Sequence, residues 1–86
     1  MSTTDLKFNK AVHEATNLSV KPSNENMLLL YGHYKQATVG DINIEKPSFI
    51  NFKAVEKWNA WNKMKYLSQH DSKVNYIKLV SMLKSA

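Results

Sequence analysis

The segment Met27–Asn43, MLLLYGHYKQATVGDIN, constrains the fold more than any other stretch of the chain. It carries the densest apolar run, two tyrosines, a lysine and both of the chain's glycines, Gly32 and Gly40. Wound as a helix, it places Met27, Leu28, Tyr31, Tyr34 and Lys35 on one side, because their spacings combine three and four residues. Leu29, Leu30, His33 and Ala37 fall largely on the other side. A helix apolar on more than one side is wrapped by neighbours or faces a ligand. Two rings, two apolar side chains and a cation on one side suit a ligand that is partly flat, partly apolar and partly anionic.

Three further segments share the helical period. In residues 4–18, Phe8, Ala11, Val12, Ala15 and Leu18 recur at helical spacing, with Thr3 or Thr4 as cap and Asp5 near the positive end of the dipole. Lys21-Pro22 ends that region, since the residue before proline disfavours helical geometry. The second helix starts near Ser23, with Glu25 in its first turn, and stops near Val39, where Gly40 supplies a left-handed cap. Residues 40–51 read as a long loop, which Ile42, Ile44, Phe49 and Ile50 are expected to tuck onto the body. A third helix covers roughly 53–66, with Ala54, Trp58 and Trp61 on one face and Lys53 and Lys57 four apart beside it. Ser68 and Asp71 form a capping signal for a fourth helix over about 69–84, in which Tyr76, Ile77, Val80 and Leu83 are in register. No stretch alternates with a period of two long enough for a strand. The expected fold is all-α, a four-helix bundle forming one domain over residues 1–86.

Composition narrows the function. The twelve basic residues are all lysines, and the net charge is +5 at pH 7. Such a surface favours anionic partners. Arginine is the preferred residue for guanine edges and bidentate phosphate grips, so its absence argues against nucleic acid. Lysine treats phosphate as a point charge, which suits a small polyphosphate ligand. There is no cysteine, which removes disulfides and thiolate metal sites. His13, His33 and His70 lack metal-ligand spacing. Ser68, His70 and Asp71 are close in sequence, but a helix cap explains them better than a triad. With no catalytic constellation, the chain reads as a binding protein rather than an enzyme, with no cofactor and no metal. The N-terminal MSTTDLKFNK lacks the features of a signal peptide, and Met27–Tyr31 is far too short to span a bilayer. A cytoplasmic monomer is the expectation.

Tyr31-Gly32-His33-Tyr34-Lys35-Gln36-Ala37-Thr38-Val39-Gly40-Asp41 resembles the Y-x-x-[YF]-K-Q-A-T-x-G-D signature of the acyl-CoA-binding protein family. Lys21-Pro22 followed by Met27-Leu28-Leu29, and Phe52-Lys53 leading to Lys57-Trp58-Asn59-Ala60-Trp61-Asn62, agree in spacing. The resemblance runs nearly end to end. It implies helices in up-down-down-up order with a long crossover between the second and third. It also implies non-covalent binding of medium- to long-chain fatty acyl-CoA thioesters by an intracellular carrier and pool former, with at most transient contact with membranes or acyl-CoA-using enzymes.

By this resemblance, the CoA head meets Tyr31, Gly32, His33, Tyr34, Lys35, Lys53, Lys57 and Tyr76. The tyrosines of the second helix line the nucleotide site, Lys35 and Lys57 meet the phosphates, and Tyr76 donates a hydrogen bond. Val12, Thr16, Met27 and Leu28 contribute to the acyl groove. Thr16 stands where many members of the family carry a basic residue, and Val55 and Glu56 replace residues that are commonly small or basic. From the residues alone, Lys53 and Lys57 read equally as surface charge and Tyr76 as helix packing. The alternative function is a basic helical module for nucleic acid or anionic membrane surfaces.

Overall fold

Residues 2–85 are described in a computed structural model. The chain forms four α-helices, α1 (Thr3–Ala15), α2 (Asn24–Thr38), α3 (Phe52–Asn62) and α4 (Gln69–Lys84), and no strand among the described residues. Helix α4 packs against α1 and α2, while α3 packs against α2 alone among the described elements. The Cα envelope is a slab, 37 × 29 × 15 Å. The central helix therefore touches neighbours on both flanks, which is what its two apolar sides require.

The core lies where α1, α2 and α4 meet. Phe8, Ala11, Ala37, Tyr76 and Val80 are buried together, with Val12, Ala15, Leu30 and Ile77 packed against them. Ala60, Trp61 and Met64 are buried on the α3 side. Two ion pairs tie α1 to α4, Lys73 with Asp5 at 2.7 Å and Lys84 with Glu14. Each lysine holds its partner's carboxyl below the ordinary range, chiefly by donating a hydrogen bond to it.

Local chemistry sets the helix ends. Ser23 caps α2 by accepting from the Asn26 N–H, and Ser68 caps α4 by accepting from the Asp71 N–H at 2.9 Å. Gly40 follows α2 at φ +98° and donates to the carbonyls of Gln36 and Lys35, as a left-handed cap does. Three helix ends differ from those that the sequence pattern suggests. Ser2, not Thr3 or Thr4, caps α1, accepting from the Asp5 N–H at 3.1 Å. Helix α1 stops at Ala15 rather than Leu18, because the Thr16 hydroxyl and the Asn17 amide both donate to the His13 carbonyl. Helix α3 stops at Asn62 rather than near 66, and irregular turns carry the chain to Tyr66 at φ +77°.

That left-handed Tyr66 is held from a distance. Its N–H donates to Asp41 Oδ1 at 2.9 Å. The same oxygen accepts from Gln36 Nε2 at 2.7 Å, and Gln36 also donates to the Leu67 carbonyl at 2.9 Å. Gln36 is 1% exposed. One buried amide thus ties the end of α2 to both the start of the crossover 39–51 and the α3–α4 turn. The Tyr66 N–H and then the Gln36 amide lower the Asp41 carboxyl from its ordinary 3.8. Both tryptophans anchor the crossover by their indole N–H, Trp61 to the Gly40 carbonyl at 2.8 Å and Trp58 to the Ile44 carbonyl at 2.9 Å. Ile44, Phe49 and Ile50 do not tuck in. They are exposed, because indole hydrogen bonds rather than apolar contacts fasten this loop.

Candidate functional site

A cleft of about 350 Å³ opens between α2 and α3, lined by Asn24, Met27, Leu28, Tyr31, Lys53, Glu56 and Lys57. Five of these residues were singled out by the sequence. Met27, Leu28 and Tyr31 come from one stripe of α2, and Lys53 and Lys57 from successive turns of α3. The Lys57 ammonium lies 5.7 Å from the centre of the Tyr31 ring. One turn along α2, the Lys35 ammonium lies 4.9 Å from the centre of a Trp61 ring. Both distances are within the range of cation–π attraction. Among the described residues no carboxylate pairs with Lys35, Lys53 or Lys57. A ring holds a cation without neutralising it, so these ammonium groups remain available to an anion.

The helices approach closely beside this cleft. Gly32 is buried against α3, where an added Cβ would meet the Ala60 carbonyl oxygen at 2.5 Å. Hydrogen serves here as the side chain that lets α2 and α3 touch. His33 is half-buried, its Nδ1 has no partner among the described residues, and burial pushes its pKa below 6.5. It is therefore neutral at physiological pH.

Tyr34 and Tyr76 meet elsewhere, on the α1–α4 side of α2. Their ring centres are 6.3 Å apart, and Phe8 lies 6.2 Å from Tyr34 and 5.3 Å from Tyr76. Tyr76 is 5% exposed, whereas Tyr34 is 39% exposed. Burial, and then Tyr34, raise the Tyr76 phenol above 10, so it keeps its proton as a donor. Val12 packs against the core, and Thr16 closes α1 through its hydrogen bond to His13. Neither lines the α2–α3 cleft. Asn24 and Glu56 do line it, joined by a 3.4 Å hydrogen bond, and the sequence reading did not select them as site residues. Asn24 gives no signal beyond its position on the Met27 side of α2, whereas Glu56 stands between the two lysines of α3, where small or basic residues are common in the family.

A small helical bundle with a largely apolar cleft and unpaired lysines over aromatic rings has the make-up of a small helical binding protein. The comparisons with known proteins make the class specific. The profile of the family described as "Acyl CoA binding protein" matches residues 5–80. An acyl-CoA-binding protein of Dictyostelium discoideum is 42% identical over 76 residues, 88% of this chain and 90% of that one. One of Saccharomyces cerevisiae is 50% identical over 74 residues, 86% of this chain and 82% of that one. The crystal structure of Oryza sativa Acyl-CoA-Binding Protein 2 superimposes with a TM-score of 0.92 at 36% identity, covering 95% of this chain and 89% of that one. The protein from Moniliophthora perniciosa gives 0.82 at 29% identity, covering 100% and 98%. The chain belongs to the acyl-CoA-binding protein family.

Proposed function

We propose that this chain is, over residues 1–86, a single acyl-CoA-binding domain that holds medium- to long-chain fatty acyl-CoA thioesters non-covalently and does no chemistry on them. One observation carries the reading. Unneutralised lysines flank an apolar cleft, two of them with their cations over aromatic rings. The phosphates of the CoA head go to Lys35, Lys53 and Lys57, and an aromatic ring of Tyr31 or Tyr34 stacks on adenine. Tyr76 donates to the head, and the backbone and side chains around Gly32 and His33 form the floor. The acyl chain starts along Met27 and Leu28, and Val12 and Thr16 join the groove only on the strength of the family resemblance. The crossover is long enough for α2 and α3 to run the same way, giving the up-down-down-up order.

The two ends of the ligand contribute differently. Each hydrogen bond from an ammonium to a phosphate contributes on the order of 1.5–3 kcal/mol. Each buried methylene contributes up to about 0.8 kcal/mol. A cleft of about 350 Å³ is small for a ligand site, so it encloses part of the acyl chain and leaves the rest against the protein surface. The head thus anchors the ligand, and the chain sets its residence time. In this reading the protein is a cytoplasmic monomer that buffers and carries the thioester. No described helix is long and apolar enough to cross a membrane.

Native mass spectrometry of the protein purified from cells tests the ligand class. Masses of CoA thioesters on the folded protein are expected. Protein that remains bare when palmitoyl-CoA is added would overturn the proposal.

A further inference from the structure

The last turn of the crossover is the most exposed apolar feature of the described chain. The Asn51 N–H donates to the Ser48 carbonyl at 2.9 Å, closing a four-residue turn with Phe49 and Ile50 at its corners. The Ile50 N–H also reaches Ser48 Oγ at 3.4 Å, and the Asn51 side chain caps α3 by accepting from the Ala54 N–H. The turn is therefore a built element continuous with a helix. Phe49 is 86% exposed, Ile50 81% and Phe52 69%. Single exposed apolar residues are ordinary, but three large ones within four positions make a patch that bears on function.

Charge selects the partner. Lys46 precedes the turn, Lys53 follows it, and Lys57 stands one helical turn further on. The carboxylates nearby in sequence are Glu45 and Glu56, fewer than the three lysines around the turn. A second copy of the chain would bring like net charge, +5 on each, against the same lysines. An anionic bilayer supplies both complements at once. Rings and a branched chain enter the acyl boundary, while the lysine stems leave their ammonium groups among the headgroup phosphates.

We infer that Phe49, Ile50 and Phe52, rimmed by Lys46 and Lys53, form the tip by which this protein docks on anionic bilayer surfaces. Lys53 is both the neighbour of Phe52 and part of the cleft lining, so a docked protein holds the cleft beside the lipid. Passage of an acyl chain between cleft and bilayer follows, and that consequence alone rests on the proposed function.

Co-sedimentation of the ligand-free full chain with vesicles tests the docking. The wild-type protein is expected to sediment with equimolar phosphatidylserine–phosphatidylcholine vesicles, and about tenfold less with phosphatidylcholine alone. The double variant Phe49→Ser/Ile50→Ser should lose about tenfold or more of its partitioning, with unchanged circular dichroism and palmitoyl-CoA affinity. Failure of the wild type to sediment with anionic vesicles overturns the inference, as does a double variant that partitions like the wild type. A wild-type dimer in sedimentation velocity that the double variant abolishes also overturns it, by giving the patch to a second copy. A wild type that docks but binds no palmitoyl-CoA leaves the tip in place and removes the proposed function instead.

Discussion

Gly32→Ala isolates the contact on which the cleft depends. Taken alone, the change favours the helix, since alanine is better than glycine in a helix interior by about 1 kcal/mol. The structure opposes it. The new Cβ would sit 2.5 Å from the Ala60 carbonyl oxygen, 3.0 Å from its carbon and 3.3 Å from Met64 Cε. Met64 can yield, but a helix carbonyl cannot rotate away. Overpacking of this kind costs about 1–3 kcal/mol, and a clash with backbone belongs at the upper end. The expected net loss is about 2 kcal/mol, which for a domain of this size lowers Tm by about 8–16 °C. Because α3 packs on α2 alone, the strain is relieved by α3 moving outward, which parts Lys53 and Lys57 from Met27 and Tyr31. Thermal unfolding and titration with palmitoyl-CoA should therefore both weaken. Gly40→Ala is the control, with φ +98° and nothing near the added Cβ. It should cost about 1–2 kcal/mol through left-handed strain and leave ligand affinity unchanged. A Gly32→Ala protein as stable as the wild type, or more so, would refute the packing argument.

Other outcomes follow from the same contacts. Gln36→Leu removes both side-chain donors of the tie between Asp41 and Leu67 and should cost about 1–3 kcal/mol in urea unfolding, with the helices retained. Lys35→Ala/Lys57→Ala should weaken free CoA and palmitoyl-CoA by the same factor while Tm stays near that of the wild type, as calorimetry and melting curves will show. His33 titrates near 6.5 when unfolded and lower when folded, so the unfolded chain binds the extra proton. Stability should therefore fall as pH drops from 7 through that window, and His33→Phe should flatten this part of the curve. A separate loss lies at more acid pH. The lowered carboxyls of Asp5, Glu14 and Asp41 contribute fully above their ordinary values of 3.8 to 4.5 and lose that contribution as pH falls through their folded ones.

The helices were legible where local chemistry decides them. Ser68 and the Tyr76–Val80 register place α4 at its observed limits, and Ser23 and Gly40 bracket α2. Ends set by side chains folding back were not legible. Leu18 keeps the helical period, yet Thr16 and Asn17 capture the His13 carbonyl first. Tyr66 ends the α3 region in a left-handed conformation because of Asp41, which lies 25 residues away in sequence. The signature residues themselves divide in a way that spacing cannot reveal. Tyr31 and Lys35 flank or extend the cleft, whereas Gln36 and Asp41 fasten the scaffold. Phe49 and Ile50 show the opposite failure. Apolar character suggested burial, but indole donors already held the loop, and nothing drew these side chains inward.

In the proposed function, a cationic anchor for the CoA head is joined to an apolar cleft for the chain. Calorimetric titration with CoA, octanoyl-CoA, palmitoyl-CoA and free palmitate tests it most directly. Binding should be weak for CoA, stronger for octanoyl-CoA and strongest for palmitoyl-CoA, with palmitate poor for want of the polyphosphate head. The eight extra methylenes of palmitoyl-CoA over octanoyl-CoA set a ceiling of roughly 6 kcal/mol, and the measured gain should fall below it. Equal affinity for the three CoA compounds, or palmitate binding as tightly as palmitoyl-CoA, would rule out a head anchor joined to an acyl cleft.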